Sequence, residues 1–311
     1  MEDKNLKKLK KIAYIFLIIV IALLSVALYA NANKESEKNE KDKGLSEIEF
    51  LDTKLITLLN DMNNIETRNY NVAVSEISKQ TKKQTSENTT QKEDSQSGTN
   101  SQSETNTSNT DSSNTSDSSE KVDENAKKFE LKSSGILTNS SDVDWEKVKS
   151  EIELLYSSLP TITLDLYQLN VNQEDVLGFN KEFDNLTSVA KNEKKDETLK
   201  ELSKLYEYIP KFTEKATEDE VEKNLTQTKS NIFKAYSKLD SKDWGEISKD
   251  TKQAIDTYSR LMANTNIESS KQYSISKAYV MINELQNAVD IKNESIFLIK
   301  YKNILEELNN I

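Results

Sequence analysis

Hydrophobic positions divide the chain into three regimes. From Ile12 to Ala30 nineteen consecutive residues carry no charge. At 1.5 Å per residue they make roughly 28 Å of helix, close to the ~30 Å hydrocarbon core of a bilayer. A second regime begins after the charged stretch 31–44. Ile48, Leu51, Leu55, Leu58, Met62 and Ile65 recur at alternating spacings of three and four, the seam of an amphipathic helix. Gly44 or Ser46 lies near its start. Tyr70, Val74 and Ile77 extend the same pattern, so the helix is expected over 45–78, although Tyr70 to Val74 also alternates as a strand would.

Residues 79–128 are Ser, Thr, Asn, Gln, Lys, Glu and Asp almost throughout, with Val122 and Ala126 as the aliphatic exceptions. So little apolar area cannot offset the entropy of ordering, and a disordered linker is expected, serving as a spacer or a wall-threading stalk. From 129 to 311 helical stripes return. Asp144 is placed to cap a helix through Trp145, Val148, Ile152, Leu155 and Leu159, ended by Pro160. A short piece with Ile162, Leu166 and Leu169 follows, then Val176, Phe179, Phe183, Leu186 and Ala190.

Leu199, Leu202, Leu205, Tyr206 and Ile209 form the next stripe, stopped by Pro210, and Thr217 with Glu220 reads as a capping box for a helix using Val221, Leu225, Ile232, Ala235, Tyr236 and Leu239. Three more stripes complete the chain: Ile247 to Leu261 after Asp243 and Trp244, Ile275 to Val289, and Ile296 to Leu308. The predicted fold is all-α: an N-terminal transmembrane helix, a long disordered linker, and an antiparallel helical bundle or helical-hairpin array. Asp144-Trp145 echoes Asp243-Trp244, but at no period shared with other echoes, so no sequence repeat is assigned.

Composition sharpens this picture by exclusion. The chain of 311 residues has no cysteine and no histidine. Disulfides, thiol nucleophiles, Ser-His-Asp triads and His- or Cys-ligated metals are therefore out of reach. Five Gly and two Pro leave few helix breakers. With 42 basic against 53 acidic residues, and only Arg68 and Arg260 as arginines, nucleic acid is a poor partner.

Lysines 4, 7, 8, 10 and 11 precede the apolar run. Residues 1–11 are accordingly expected in the cytoplasm, 12–30 as a single-pass anchor, and the body 129–311 outside. The alternative is secretion after cleavage near Ala32, since Ala30-Asn31-Ala32 has the small-x-small form of a signal-peptidase site.

Candidate chemistry is sparse. Trp145 and Trp244 could flank a groove, but each has an apolar residue three positions on, which favours packing. The tyrosines at 156, 167, 206, 208, 236, 258, 273, 279 and 301 could line a sugar or peptide groove, yet most lie on packing stripes. Carboxylate groups Glu151/Glu153, Asp142/Asp144 and Glu218/Asp219/Glu220 read as solvated faces and caps. Asp240 to Gly245 lacks the spacing of a calcium loop. No phosphate loop, nucleophile elbow or zinc-protease motif occurs.

Leu59-Asn60-Asp61-Met62-Asn63-Asn64-Ile65 followed by Asn69-Tyr70, then Asp144-Trp145, Leu205-Tyr206-Glu207-Tyr208-Ile209-Pro210 and Asn283-Glu284-Leu285-Gln286-Asn287-Ala288, resemble phrases in membrane-anchored, extracytoplasmic helical proteins of low-GC Gram-positive bacteria. That resemblance implies location and helical build and carries no catalytic motif. The expectation is a non-enzymatic interaction or scaffold protein of the cell envelope, without cofactor or metal, with the membrane and an envelope protein or a second copy as partners. Alternatives are a ligand-sensing or wall-binding domain and, third, a wall-polymer hydrolase.

Overall fold

The computed structural model describes residues 39–69, 128–132, 136–137, 142–263, 267 and 269–311. The proposed anchor 12–30 and nearly all of the linker lie outside them. Among the described residues no helix is long and apolar enough to cross a membrane. The fold is mostly helical, as expected. Helix α1 covers 39–61. Strand β1, Glu66–Asn69, and β2, Phe129–Lys132, follow, then α2 (Trp145–Gln168), α3 (Gln173–Lys191), α4 (Lys195–Tyr206), α5 (Tyr208–Ala216), α6 (Glu220–Tyr236), α7 (Trp244–Met262), α8 (Gln272–Asp290) and α9 (Glu294–Leu308).

Helix α1 departs most from expectation. Its seam residues Ile48, Leu51, Leu55, Leu58, Met62 and Ile65 are buried, but so are Glu47, Asp52, Thr53, Thr57, Asn60 and Asp61. A helix buried on its polar face as well as its apolar one has neighbours on every side. It is the central strut of the body, although its sequence pattern marks a single apolar face for burial. It is already helical at residue 39, inside the stretch read as juxtamembrane, and Gly44 lies within the helix. Leu169 of the α2–α3 turn packs on Gly44 so closely that any side chain there would overlap it.

The helix expected over 45–78 ends at 61. Asn63 and Ile65 amides both bond to the Asn60 carbonyl at 3.0 Å, and Asn64 takes a left-handed φ of 54°. The chain then turns into β1, and residues 70–78 lie outside the described part. Strand β1 pairs antiparallel with β2, Glu66 opposite Lys132, Arg68 opposite Glu130, and Asn69 opposite Phe129. Two opposite-charge pairs lie across this ladder, while Phe129 and Leu131 face the core. The polar segment therefore leaves at Asn69 and returns at Phe129, its register partner. That geometry is an insertion between two paired strands, where a spacer between anchor and body was expected.

Both prolines behave differently from the sequence reading. Pro160 lies inside α2, on its exposed side. An interior proline costs ~3 kcal/mol, but ending the helix there would disrupt the packing of Ile162, Leu166 and Leu169, all buried, each worth about 1.5–3 kcal/mol. Burial wins, and the expected break is absent. Pro210 is the third residue of α5, where backbone N–H groups have no intrahelical partner. It begins a helix where it was expected to end one. Downstream, the cap of α6 is Asp219, whose Oδ1 accepts from the Val221 amide at 2.8 Å, and Thr217 Oγ1 supports it by accepting from the Asp219 amide at 3.0 Å.

Asp144 and Asp243 cap α2 and α7 as read from the sequence, accepting from the amides of Lys147 and Glu246 at 3.1 and 3.2 Å.

Candidate functional site

Two polar assemblies distinguish the body: a set of buried contacts onto α1, and an open groove between α4, α6 and α7. The first is made by tyrosines. Tyr206, Tyr236 and Tyr301 are fully buried, on α4, α6 and α9. Tyr206 donates to Asp52 Oδ1. Tyr236 donates to the Leu59 carbonyl at 2.9 Å and accepts from Asn63 Nδ2 at 2.5 Å. Tyr301 donates to Asn60 Oδ1 at 2.8 Å and stacks on Tyr236, ring centroids 4.5 Å apart. Three helices thus grip one side of α1 through phenol groups. Burial holds the Tyr206 and Tyr301 hydroxyls well above the ordinary tyrosine value, and the Asp52 carboxylate raises Tyr206 further.

Lysines complete the grip. Lys229 Nζ of α6 meets Asp52 Oδ2 at 2.9 Å, both side chains about 3% exposed. Lys43, Lys54 and Lys147 pair with Asp165, Glu151 and Asp61 at 2.7, 2.8 and 2.7 Å, fastening α1 along the antiparallel α2. Burial raises the Asp61 carboxyl above the usual range, and Lys147 offsets this only in part. Where the insertion returns, Lys128 reaches Glu222 at 3.4 Å and Glu49 at 3.6 Å. Burial opposes the Lys128 charge, and Glu222, Glu49 and Asp52 more than compensate, leaving it above the ordinary lysine value.

The groove encloses about 540 Å³. Its floor includes the buried Ser203, Ser237 and Asp250. Its walls alternate charge: Lys238 bonds to Asp250 at 2.5 Å, Lys204 to Glu201 at 2.7 Å, and Lys234 lies 3.4 Å from Glu207. Paired charges of both signs suit a polar or zwitterionic ligand better than an apolar one. No tyrosine lines it, and the buried Tyr206, Tyr236, Tyr258 and Tyr301 follow the packing role that their stripes favoured.

The remaining sequence candidates are dispersed. Trp145 and Trp244 pack partly buried against the core. Tyr258 is buried with its hydroxyl on the Ile275 carbonyl at 3.0 Å, whereas Tyr273 is 77% exposed. Glu151 is engaged by Lys54 and Glu220 by Lys223, the latter at 3.1 Å, while Asp144 and Asp219 are caps. Among the described residues no cluster of three or more acidic side chains is arranged to hold a metal ion.

The residues that sequence reasoning missed are Asp52, Lys229, Asn60 and Lys128. Polar residues on a helix with an apolar seam normally face water, and nothing local marks Asp52, Asn60 and Lys229 as buried or Lys128, half-buried just before β2, as paired. Comparison of the chain with protein families, with curated proteins and with solved structures finds no match.

Proposed function

We propose that the protein is a non-enzymatic, single-pass, membrane-anchored module on the outer side of the cell envelope, whose helical body serves as an interaction or scaffold unit. The observation that carries this reading is the position of α1. The apolar run ends at Ala30 and the central helix of the body is under way by residue 39. Only residues 31–38 separate an anchor from the core, so the body would be held close to the bilayer by its own strut. A polar insertion would be displayed from the β1–β2 pair, free of any load-bearing role between anchor and body. The absence of histidine and cysteine from the sequence supports a role in binding more than one in turnover.

Photo-crosslinking of the tagged full-length chain in intact cells tests the proposal. Recovery of one envelope protein near stoichiometry is the expected result. Recovery of nothing, or of cytoplasmic proteins alone, overturns it.

The α4–α6–α7 groove favours a second reading, a sensor for small polar ligands. Its test is thermal shift with wall-peptide fragments and amino acids, where saturable stabilisation is required.

A further inference from the structure

The two ends of the bundle differ in what they adjoin. Lys43 near the start of α1 pairs with Asp165 at 2.7 Å, and Leu169 packs on Gly44. The α2–α3 corner therefore lies beside the point where the chain comes into the body. Asn180 Nδ2 donates to Thr163 Oγ1 at 3.4 Å across the corner, aligning the last turns of α2 with the first turns of α3. Within about two turns of it Leu164 is 57% exposed, Leu177 54% and Tyr167 37%. Asp165, next to Leu164 in the chain, is 2% exposed, so the helix turns its carboxylate inward and its leucine outward.

Single exposed leucines are ordinary on soluble surfaces. These three belong to a class enriched where protein meets lipid, apolar side chains with a tyrosine beside them. They lie at the end of the body from which an anchored chain would come.

We infer that the α2–α3 corner rests on the lipid surface, with Leu164 and Leu177 in the interfacial zone and Tyr167 at headgroup level, so that the anchor and the corner together set the body's orientation. The inference rests on the reading of residues 12–30 as a membrane anchor. Residues 31–38 span roughly 12 Å as helix and no more than about 28 Å fully extended. The headgroup zone is itself about 5–8 Å deep, and neighbouring helix axes lie about 8–10 Å apart. If residues 31–38 span the shorter distance, a modest lean of the body brings the adjoining corner into the interface. Lys211 is paired with Asp175 at 2.6 Å and Glu174 beside it is exposed, so the corner carries no basic excess and its contact does not depend on anionic lipid.

The chain has no native cysteine, which makes site-specific labelling direct. Single variants Leu164→Cys and Leu177→Cys of the full-length chain carry an environment-sensitive fluorophore in phosphatidylcholine vesicles doped with a headgroup-level quencher lipid. Val280→Cys and Ile291→Cys, at positions 60% and 61% exposed on α8 and just beyond it, are the controls. Quenching at 164 and 177 at least about twofold above the controls is expected for interfacial side chains. Equal quenching at all four sites, with the chain still retained by vesicles after an alkaline wash, overturns the corner contact alone. Loss of the chain in that wash removes the anchor reading and the inference with it. A fluorophore shift at 164 and 177 that follows protein density and not the quencher assigns the corner to a second copy, and also overturns it.

Discussion

Asp52 and Lys229 stand 177 residues apart in the chain and meet at 2.9 Å inside the body, with Tyr206 donating to the second carboxylate oxygen. This contact joins the central helix to α6 in a place water does not reach. A buried pair is a poor source of net stability, because desolvating two ions costs about what their attraction returns. Its removal by halves is another matter. Lys229→Met leaves Asp52 buried without its counter-ion, with the Tyr206 hydroxyl still donating to it, and should destabilise the body by about 3–5 kcal/mol in urea unfolding. Adding Asp52→Leu should recover part of that loss. Strictly additive costs would show that the two side chains do not interact in solution.

Two glycines make a contrasting pair. Gly44 faces Leu169 with no room for a side chain, whereas Gly245 on α7 has nothing near it except the capping Asp243. Gly44→Val should therefore lose about 1–3 kcal/mol by overpacking. Gly245→Ala should gain about 0.5–1 kcal/mol by reducing backbone freedom in the unfolded chain. Thermal melts of the two variants should move in opposite directions.

Lys242 and Lys292 hold left-handed φ angles of 55° and 52° in the turns before α7 and α9. A side chain in that region costs about 1–2 kcal/mol, and glycine gives back part of the difference in unfolded-state entropy. Lys242→Gly and Lys292→Gly should each raise stability by roughly 0.5–1 kcal/mol. A fall in midpoint for both would mean that these lysines make contacts absent from the structure.

Alkaline pH should unfold the body through its phenols. Burial raises the hydroxyls of Tyr206, Tyr236, Tyr258 and Tyr301 above the ordinary value. In the unfolded chain these groups ionise near pH ~10. Above that point the unfolded state binds fewer protons than the folded one, so stability falls as pH rises, by up to ~1.4 kcal/mol per pH unit per group. Below it the four groups contribute no slope. Tyrosinate absorbance should appear in two stages, exposed phenols first and the buried set together with loss of helical circular dichroism. A single smooth titration without unfolding would contradict their burial.

The insertion should be dispensable for the fold. Asn69 and Phe129 are register partners, Lys128 pairs with Glu222 and Glu49, and the Phe129 carbonyl accepts from Asn309 Nδ2 at 2.6 Å, so the strand ends are tied down without residues 70–127. Replacing 70–127 by about four turn residues shortens the closed loop by about four doublings, worth roughly 2 kcal/mol of closure entropy. The shortened chain should melt higher than the parent. A lower midpoint would assign packing contacts to the insertion.

Local pattern in the sequence was enough for much of the helical body. The stripes Val148 to Leu159, Val176 to Ala190 and Ile247 to Leu261 lie on α2, α3 and α7, because helical period and a capping Asp before Trp145 or Trp244 are properties of a few neighbouring residues. Proline was misleading for the complementary reason. Whether Pro160 ends a helix depends on what Ile162 and Leu166 find to pack against, and that is supplied by helices far along the chain. The candidate site was invisible on the same ground. Asp52, Asn60 and Lys229 look solvent-facing until helices α4, α6 and α9 close around α1. The pairing of Glu66–Asn69 with Phe129–Lys132 likewise spans a segment with no periodicity at all. Composition and spacing thus determined the helical class, the apolar run at 12–30 and the polar segment at 79–128. Tertiary structure decided that α1 is the central strut and that its polar side chains are interior, since burial depends on which distant surfaces meet and no local pattern records that.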